Sequence, residues 1–163
     1  MFNQDITILQ AEIDDAADIL TLQKIAYQSE AELYQDNQIQ PLVETIDELR
    51  LSFQDKTFLK AVIDTRIIGS VRGYEQDGTG YIGKLIVHPE FQNLGIGQKL
   101  MAAIEIRFGS VQRYELFTGH KSQRNIYLYQ KLGYKIFRRE KVSENLELVY
   151  MEKKNIAMNS PDF

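Results

Sequence analysis

Apolar residues recur along this chain in two rhythms, and the switches between them mark out the elements. Residues 6–11 alternate apolar and polar as a half-buried strand does. The acidic cluster Glu12, Asp14 and Asp15 then supplies a cap and first-turn charges for a helix, whose buried stripe is Ala16, Ile19, Leu22 and Ala26 with Leu20 and Ile25 beside it. Residues 28–41 are polar, aromatic and poorly periodic, the pattern of a frayed helix end or a mobile loop. Thr45-Ile46-Asp47-Glu48 is a capping box that opens a short helix to about Phe53. Two apolar-rich runs, 57–63 and 66–75, flank Asp64-Thr65 as an antiparallel hairpin. A second turn, Asp77-Gly78-Thr79-Gly80, hands the chain to a strand over residues 81–87.

Next comes a glycine-containing loop and a helix with Leu100, Met101, Ile104 and Phe108 on one face. Residues 114–118 form a strand, Ser122 is placed to cap a further helix, and Gly133 ends that helix after Leu132. Residues 134–142 and 146–153 pair across Ser143-Glu144-Asn145 as a closing hairpin. Residues 155–163 carry no pattern and read as a loose tail beyond a domain of residues 1–154. There is no repeat, low-complexity tract or linker, so the chain reads as one α/β domain with a mixed sheet.

Composition narrows the function. The 163 residues suffice for one domain with a sizeable core, and no apolar run reaches membrane-spanning length. The first residues lack the basic and apolar regions of a secretory signal, which points to the cytoplasm. With no cysteine and only His88 and His120, a metal site is not expected. A net charge of −4 argues against a broad basic surface for nucleic acid. Neither nucleic acid nor membrane is expected as a partner; small molecules or peptides are.

The chemistry gathers where the strand over 81–87 meets the next helix. Gly95 and Gly97 bare the backbone at the helix start, where amides without intrahelical partners and the positive end of the helix dipole suit an anion such as phosphate. A nucleotide P-loop needs Gly-Lys-Ser/Thr, but Gly97 is followed by Gln98-Lys99-Leu100. A dinucleotide fingerprint needs a small residue where Leu100 stands. What fits is Gln-x-x-Gly-x-Gly, as Gln92-Asn93-Leu94-Gly95-Ile96-Gly97, preceded by Val87-His88-Pro89. This resembles the acyl-CoA loop of the GNAT superfamily of N-acetyltransferases. A second motif, from Asn125 through Leu128-Tyr129 to Gly133-Tyr134, resembles that family's last helix, and the order of elements matches its layout across nearly the whole chain.

The resemblance implies a single-domain GNAT-like fold: a mixed, mostly antiparallel sheet of about seven strands flanked by helices, with a splayed central pair. It implies acetyl-CoA as co-substrate, its pantetheine against the backbone of Leu85, Ile86 and Val87 and its pyrophosphate on Gln92, Asn93, Leu94, Gly95, Ile96, Gly97 and Gln98. Either Ser122 or Asn125 aligns with a cofactor-binding Asn of relatives. The implied reaction is direct acetyl transfer to a primary amine of a small molecule or peptide, with the Val87 N–H facing the developing oxyanion and Tyr129 protonating the thiolate. Relatives often carry a glutamate base on the strand before the loop; here that strand offers Tyr81, Gly83 and Lys84. The proton then passes to water, Glu75, Glu30 or His120.

Acids far outnumber bases over residues 12–55, which favours a cationic, polyamine-like acceptor. Acetylation of a protein N-terminus or lysine is an alternative, and a non-catalytic CoA-binding sensor or interaction module is the alternative outside enzymology. By analogy, a homodimer would pair its last strands.

Overall fold

In this computed structural model, residues 5–157 are described. The strands are β1 (Thr7–Gln10), β2 (Thr57–Ile63), β3 (Arg66–Gln76), β4 (Thr79–Ile82), β5 (Ile86–Val87), β6 (Arg113–Gly119), β7 (Lys135–Lys141) and β8 (Glu147–Lys154). The helices are α1 (Ala16–Ala26), α2 (Gln28–Tyr34), α3 (Gln40–Val43), α4 (Ile46–Ser52), α5 (Ile96–Arg107) and α6 (Gln123–Lys131). The chain is an α/β domain whose mixed sheet runs β1-β2-β3-β4-β6-β8-β7, with β5 paired to β3 off that path. All pairs are antiparallel except β4 with β6.

Alternation along β2 puts a core on each face of the sheet. Leu59, Ala61 and Ile63 join the larger core, to which α5 contributes Ile96, Leu100, Met101 and Ile104. Phe58 faces the other way, with Ala16 and Ile19 of α1 and Leu49 of α4. Gly69 lets α5 lie close on β3, because a Cβ there would stand 3.1 Å from both Ile96 and Leu100 and 3.2 Å from the Ile86 carbonyl. The capping box forms as expected: the Thr45 hydroxyl accepts from Glu48 N–H at 3.1 Å, and the Glu48 carboxylate accepts from Thr45 N–H at 2.8 Å.

Four expectations need correction. The apolar run over 81–87 is two strands, β4 and β5, rather than one. Its centre, Gly83-Lys84, carries a glycine and a charged side chain, and Gly83 N–H still reaches the Arg72 carbonyl at 2.9 Å. Residues 28–34 form the helix α2, burying Ala31 and Tyr34; seven residues are too few to display a helical period. In α1 the fully buried positions include Gln23, while Ala26 is only partly covered. Asn155, taken as the start of a loose tail, is buried and donates to the Gly109 and Val111 carbonyls at 3.0 and 2.8 Å. The tail residues 158–163 lie outside the described residues.

Candidate active site

The sheet forks at its centre. The last β4–β6 partners are Tyr81 and Glu115; beyond them β6 continues along β8 while β5 stays on β3, with Ser70 opposite Ile86 and Gly69 opposite Val87. His88 N–H donates to the Ile68 carbonyl at 2.8 Å, and successive amides of a strand point to opposite edges. The Val87 amide therefore faces away from β3, into the fork.

A cleft of about 820 Å³ follows this opening. Its walls bring together Leu85, Ile86 and Val87 with Gln92, Asn93, Gly95, Ile96, Gly97 and Gln98 of the loop and Ser122 and Asn125 of the last helix. Leu94 is not among the lining residues; it points outward and is largely exposed. The loop closes in a left-handed pair of turns, with Asn93 at φ 65° and Gly95 at φ 78°, and α5 begins at once with Ile96, Gly97 and Gln98. The amides of these three have no intrahelical acceptor. A Cβ at Gly95 would meet nothing within 4 Å, so the loop's bare backbone opens onto free space. Across the cleft, the Arg124 guanidinium donates to the Gln92 side chain, and Arg124 and Lys131 add positive charge to the lining.

Tyr129 does not line the cleft. It is buried in the larger core, its ring 6.0 Å from that of Tyr134 in an edge-on contact. Burial, with the nearby Tyr27 and Glu30 charges added, pushes its hydroxyl well above the ordinary 10 and keeps it protonated. Among the described residues this hydroxyl has no hydrogen-bond partner, yet no fully buried side-chain polar atom lacks one. It therefore touches accessible space. Tyr27, which does line the cleft, is raised likewise by burial and then by Glu30.

Ser122 stands at the N-cap of α6 but makes no side-chain cap bond, contrary to expectation. Its hydroxyl lies 3.0 Å from that of Tyr34 and donates to the Glu30 carboxylate. Tyr34 also accepts from Lys121 N–H at 3.0 Å. In this way α2 is strapped across the cleft to the β6–α6 corner. The strap depends on Gly119, where a Cβ would fall 2.5 Å from Cζ of Tyr34. Asn125 donates to the Thr118 hydroxyl at 3.3 Å. Of the side chains considered for the base, Glu30 lines the cleft; Glu75 does not, and His120 is turned to β8, its Nδ1 accepting from Glu147 N–H at 2.9 Å.

Sequence reasoning missed a buried polar cluster beside the fork. Glu44 accepts from Gln23 at 2.8 Å and from Arg72 at 3.0 and 3.2 Å, while Arg72 also donates to Gln23 at 2.7 Å. Lys84 stands 3.6 Å from the same carboxylate. The one signal for it was Arg72, a charge inside an otherwise apolar strand. Of the acids in residues 12–55, only Glu30 and Glu32 line the cleft. Glu12, Asp15 and Glu48 serve helix ends, Asp15 also pairs with Lys60 at 2.9 Å, and Glu44 belongs to the cluster. A continuous acidic wall is thus absent from the cleft.

A family model described as an acetyltransferase (GNAT) domain matches residues 23–155. Solved structures share the fold. A PaiA N-acetyltransferase from Thermoplasma acidophilum, in complex with coenzyme A, superposes with a TM-score of 0.73 at 19% identity, covering 92% of this chain and 99% of its own. A spermidine N-acetyltransferase SpeG chimera of Vibrio cholerae and hSSAT gives 0.73 at 18%, covering 95% and 98%. The ribosomal-protein-alanine N-acetyltransferase from Escherichia coli gives 0.71 at 14%, covering 92% and 94%. No curated protein matches the sequence. At these identities the superpositions establish the fold, and the family model establishes the kinship: the chain belongs to the GNAT acetyltransferases.

Proposed function

We propose that this protein transfers an acetyl group from acetyl-CoA directly to the primary amine of a small molecule. The observation that carries this reading is the fork: a cleft between β5 and β6 lined by the loop and helix start with their unpaired amides, and by Tyr27 and Glu30 on the α2 side. The residues fit the donor. Ile96, Gly97 and Gln98, after the open turn at Gly95, suit a pyrophosphate, with Gln92 and Asn93 beside them. Leu85, Ile86 and Val87 offer a strand edge for an extended pantetheine arm. Asn125 is the better placed of the two polar candidates on α6, because the Ser122 hydroxyl is already shared between Tyr34 and Glu30.

In the reaction the Val87 N–H serves as oxyanion donor. Tyr129 supplies the proton to the leaving sulfur, and its raised pKa suits an acid that must stay protonated at neutral pH. Glu30, one of two α2 acids that line the cleft, takes the proton from the incoming amine. The test is thiol release from acetyl-CoA across a panel of amines. Release with small amines supports the reading. Release only with peptides would move the acceptor to a protein N-terminus or lysine, and CoA binding without release on any acceptor would make the protein a sensor.

A further inference from the structure

Ser122 breaks the local rule of its position. A serine at a helix N-cap ordinarily turns its hydroxyl back onto a first-turn amide, but Ser122 at the head of α6 makes no such bond. It is buried, it lines the cleft, and its hydroxyl goes instead to Glu30 of α2, 92 positions earlier in the chain. A local preference given up inside a site calls for a functional reason.

The direction of each bond around Ser122 follows from which groups can donate. The Lys121 N–H can only donate, and it does so to the Tyr34 oxygen at 3.0 Å. An ionised carboxylate can only accept, so the single Ser122 proton points to Glu30 Oε2. Ser122 therefore accepts from Tyr34 across their 3.0 Å separation. Burial, the largest influence, raises the Tyr34 phenol above the ordinary 10 and keeps that proton in place. The chain runs one way, from the Lys121 amide through Tyr34 and Ser122 to Glu30. Tyr34 is itself held by shape, its ring 5.8 Å from that of His120 and close over the bare backbone of Gly119.

A backbone amide cannot pass a proton on, so this chain is a support and not a relay. Glu30 is half-buried in the cleft wall, with Oε2 tied to Ser122 and Oε1 without a hydrogen-bond partner among the described residues. Glu32, the other α2 acid of the lining, has no side-chain partner at all among them. The helix α2 has seven residues and no side-chain cap, too little to fix a carboxylate by itself. Resting on the acetyl-transfer reading with Glu30 as base, we propose that Ser122 and Tyr34 are positioning residues, which hold the Glu30 carboxylate by Oε2 and leave Oε1 to take the proton of the amine. An ammonium acceptor gives one proton to Oε1 and keeps the electron pair of the broken N–H bond, which attacks the thioester carbonyl. Glu30 then returns the proton to water in the open cleft.

The experiment measures thiol release by the whole chain from acetyl-CoA with cadaverine, tyramine or a short peptide as acceptor. Ser122→Ala should lower kcat roughly 10- to 100-fold, the cost of a misplaced catalytic group, with KM for acetyl-CoA unchanged. Tyr34→Phe keeps the ring over Gly119 and removes only the hydroxyl, and should lower kcat by less. The double-mutant cycle with Glu30 separates positioning from mere packing: in Glu30→Gln, adding Ser122→Ala should change kcat less than about 2-fold, because no base remains to be placed. If Ser122→Ala does not fold, Tyr34→Phe carries the same cycle. A near-normal kcat in the single variants, an equal loss with and without Glu30, or a loss that appears mainly in KM for acetyl-CoA overturns the proposal. Glu30→Gln at the wild-type rate removes Glu30 as base and the proposal with it, while acetyl transfer stands. No thiol release by the wild type with any of these acceptors ends the acetyl-transfer reading, and this proposal falls with it.

Discussion

Replacing Glu44 with Gln keeps the shape of the buried cluster and removes its only negative charge. Burial alone would raise the Glu44 carboxyl, but hydrogen bonds from Arg72 and Gln23, with the charges of Arg72 and Lys84, hold it at about 2 against the ordinary 4.5. That separation corresponds to roughly 3 kcal/mol of native-state stability at neutral pH. Because the folded pKa is the lower one, this stability is complete above about pH 4.5 and is lost as the pH falls toward 2. Lys84, protonated in both folded and unfolded chains below about 8, adds no slope in that window. In Glu44→Gln the buried Arg72 loses its counter-charge, so the cost at pH 7 should be about 3–5 kcal/mol. Urea unfolding of both proteins, repeated from pH 7 down to acid, measures the difference. It should be large at neutrality and shrink below pH 4.5. A gap under about 1 kcal/mol at pH 7, or one that pH leaves unchanged, would refute the reasoning.

Tyr129→Phe should leave the melting temperature and CoA affinity near wild type and lower kcat about 10²- to 10⁴-fold; a near-normal kcat would return Tyr129 to packing. Gly119→Ala forces Tyr34 off the β6–α6 corner, and thermal unfolding should show a loss of about 1–3 kcal/mol; an unchanged midpoint would mean that the strap contributes nothing. Thr45→Ala removes one half of the capping box and should cost about 1 kcal/mol in chemical denaturation.

What the sequence revealed was whatever a local period or a local turn dictates. The Thr45 capping box, the hairpin around Asp64-Thr65, the stop at Gly133 and the helix after Gly95 each depend on neighbours within a few residues, and each is where the pattern put it. The two motifs located the cleft because both of its walls carry one. The misses share a different cause. The break at Gly83-Lys84 interrupts an apolar run without ending it, and the strand changes partners there, from β6 to β3 alone. The helix α2 is held by Tyr34 reaching Ser122, 88 positions away, and the Glu44–Arg72 pair spans 28 positions. Such contacts leave no periodic trace. The acidic excess before residue 55 is limited in the same way, since charge counted along a chain does not say which carboxylates already have partners.

The most direct measurement is calorimetric titration of CoA into the wild-type protein and Gly97→Asp. A Cβ at Gly97 would meet Leu128 at 3.4 Å, Leu85 at 3.6 Å and Val87 at 3.9 Å, ordinary contacts that the fold tolerates, and an acid in the first turn favours the helix itself. The same acid faces the amides proposed to hold the pyrophosphate. Affinity should therefore drop by at least about 10-fold while the unfolding transition stays in place. Equal affinity of the two proteins for CoA would contradict the cleft as the donor site.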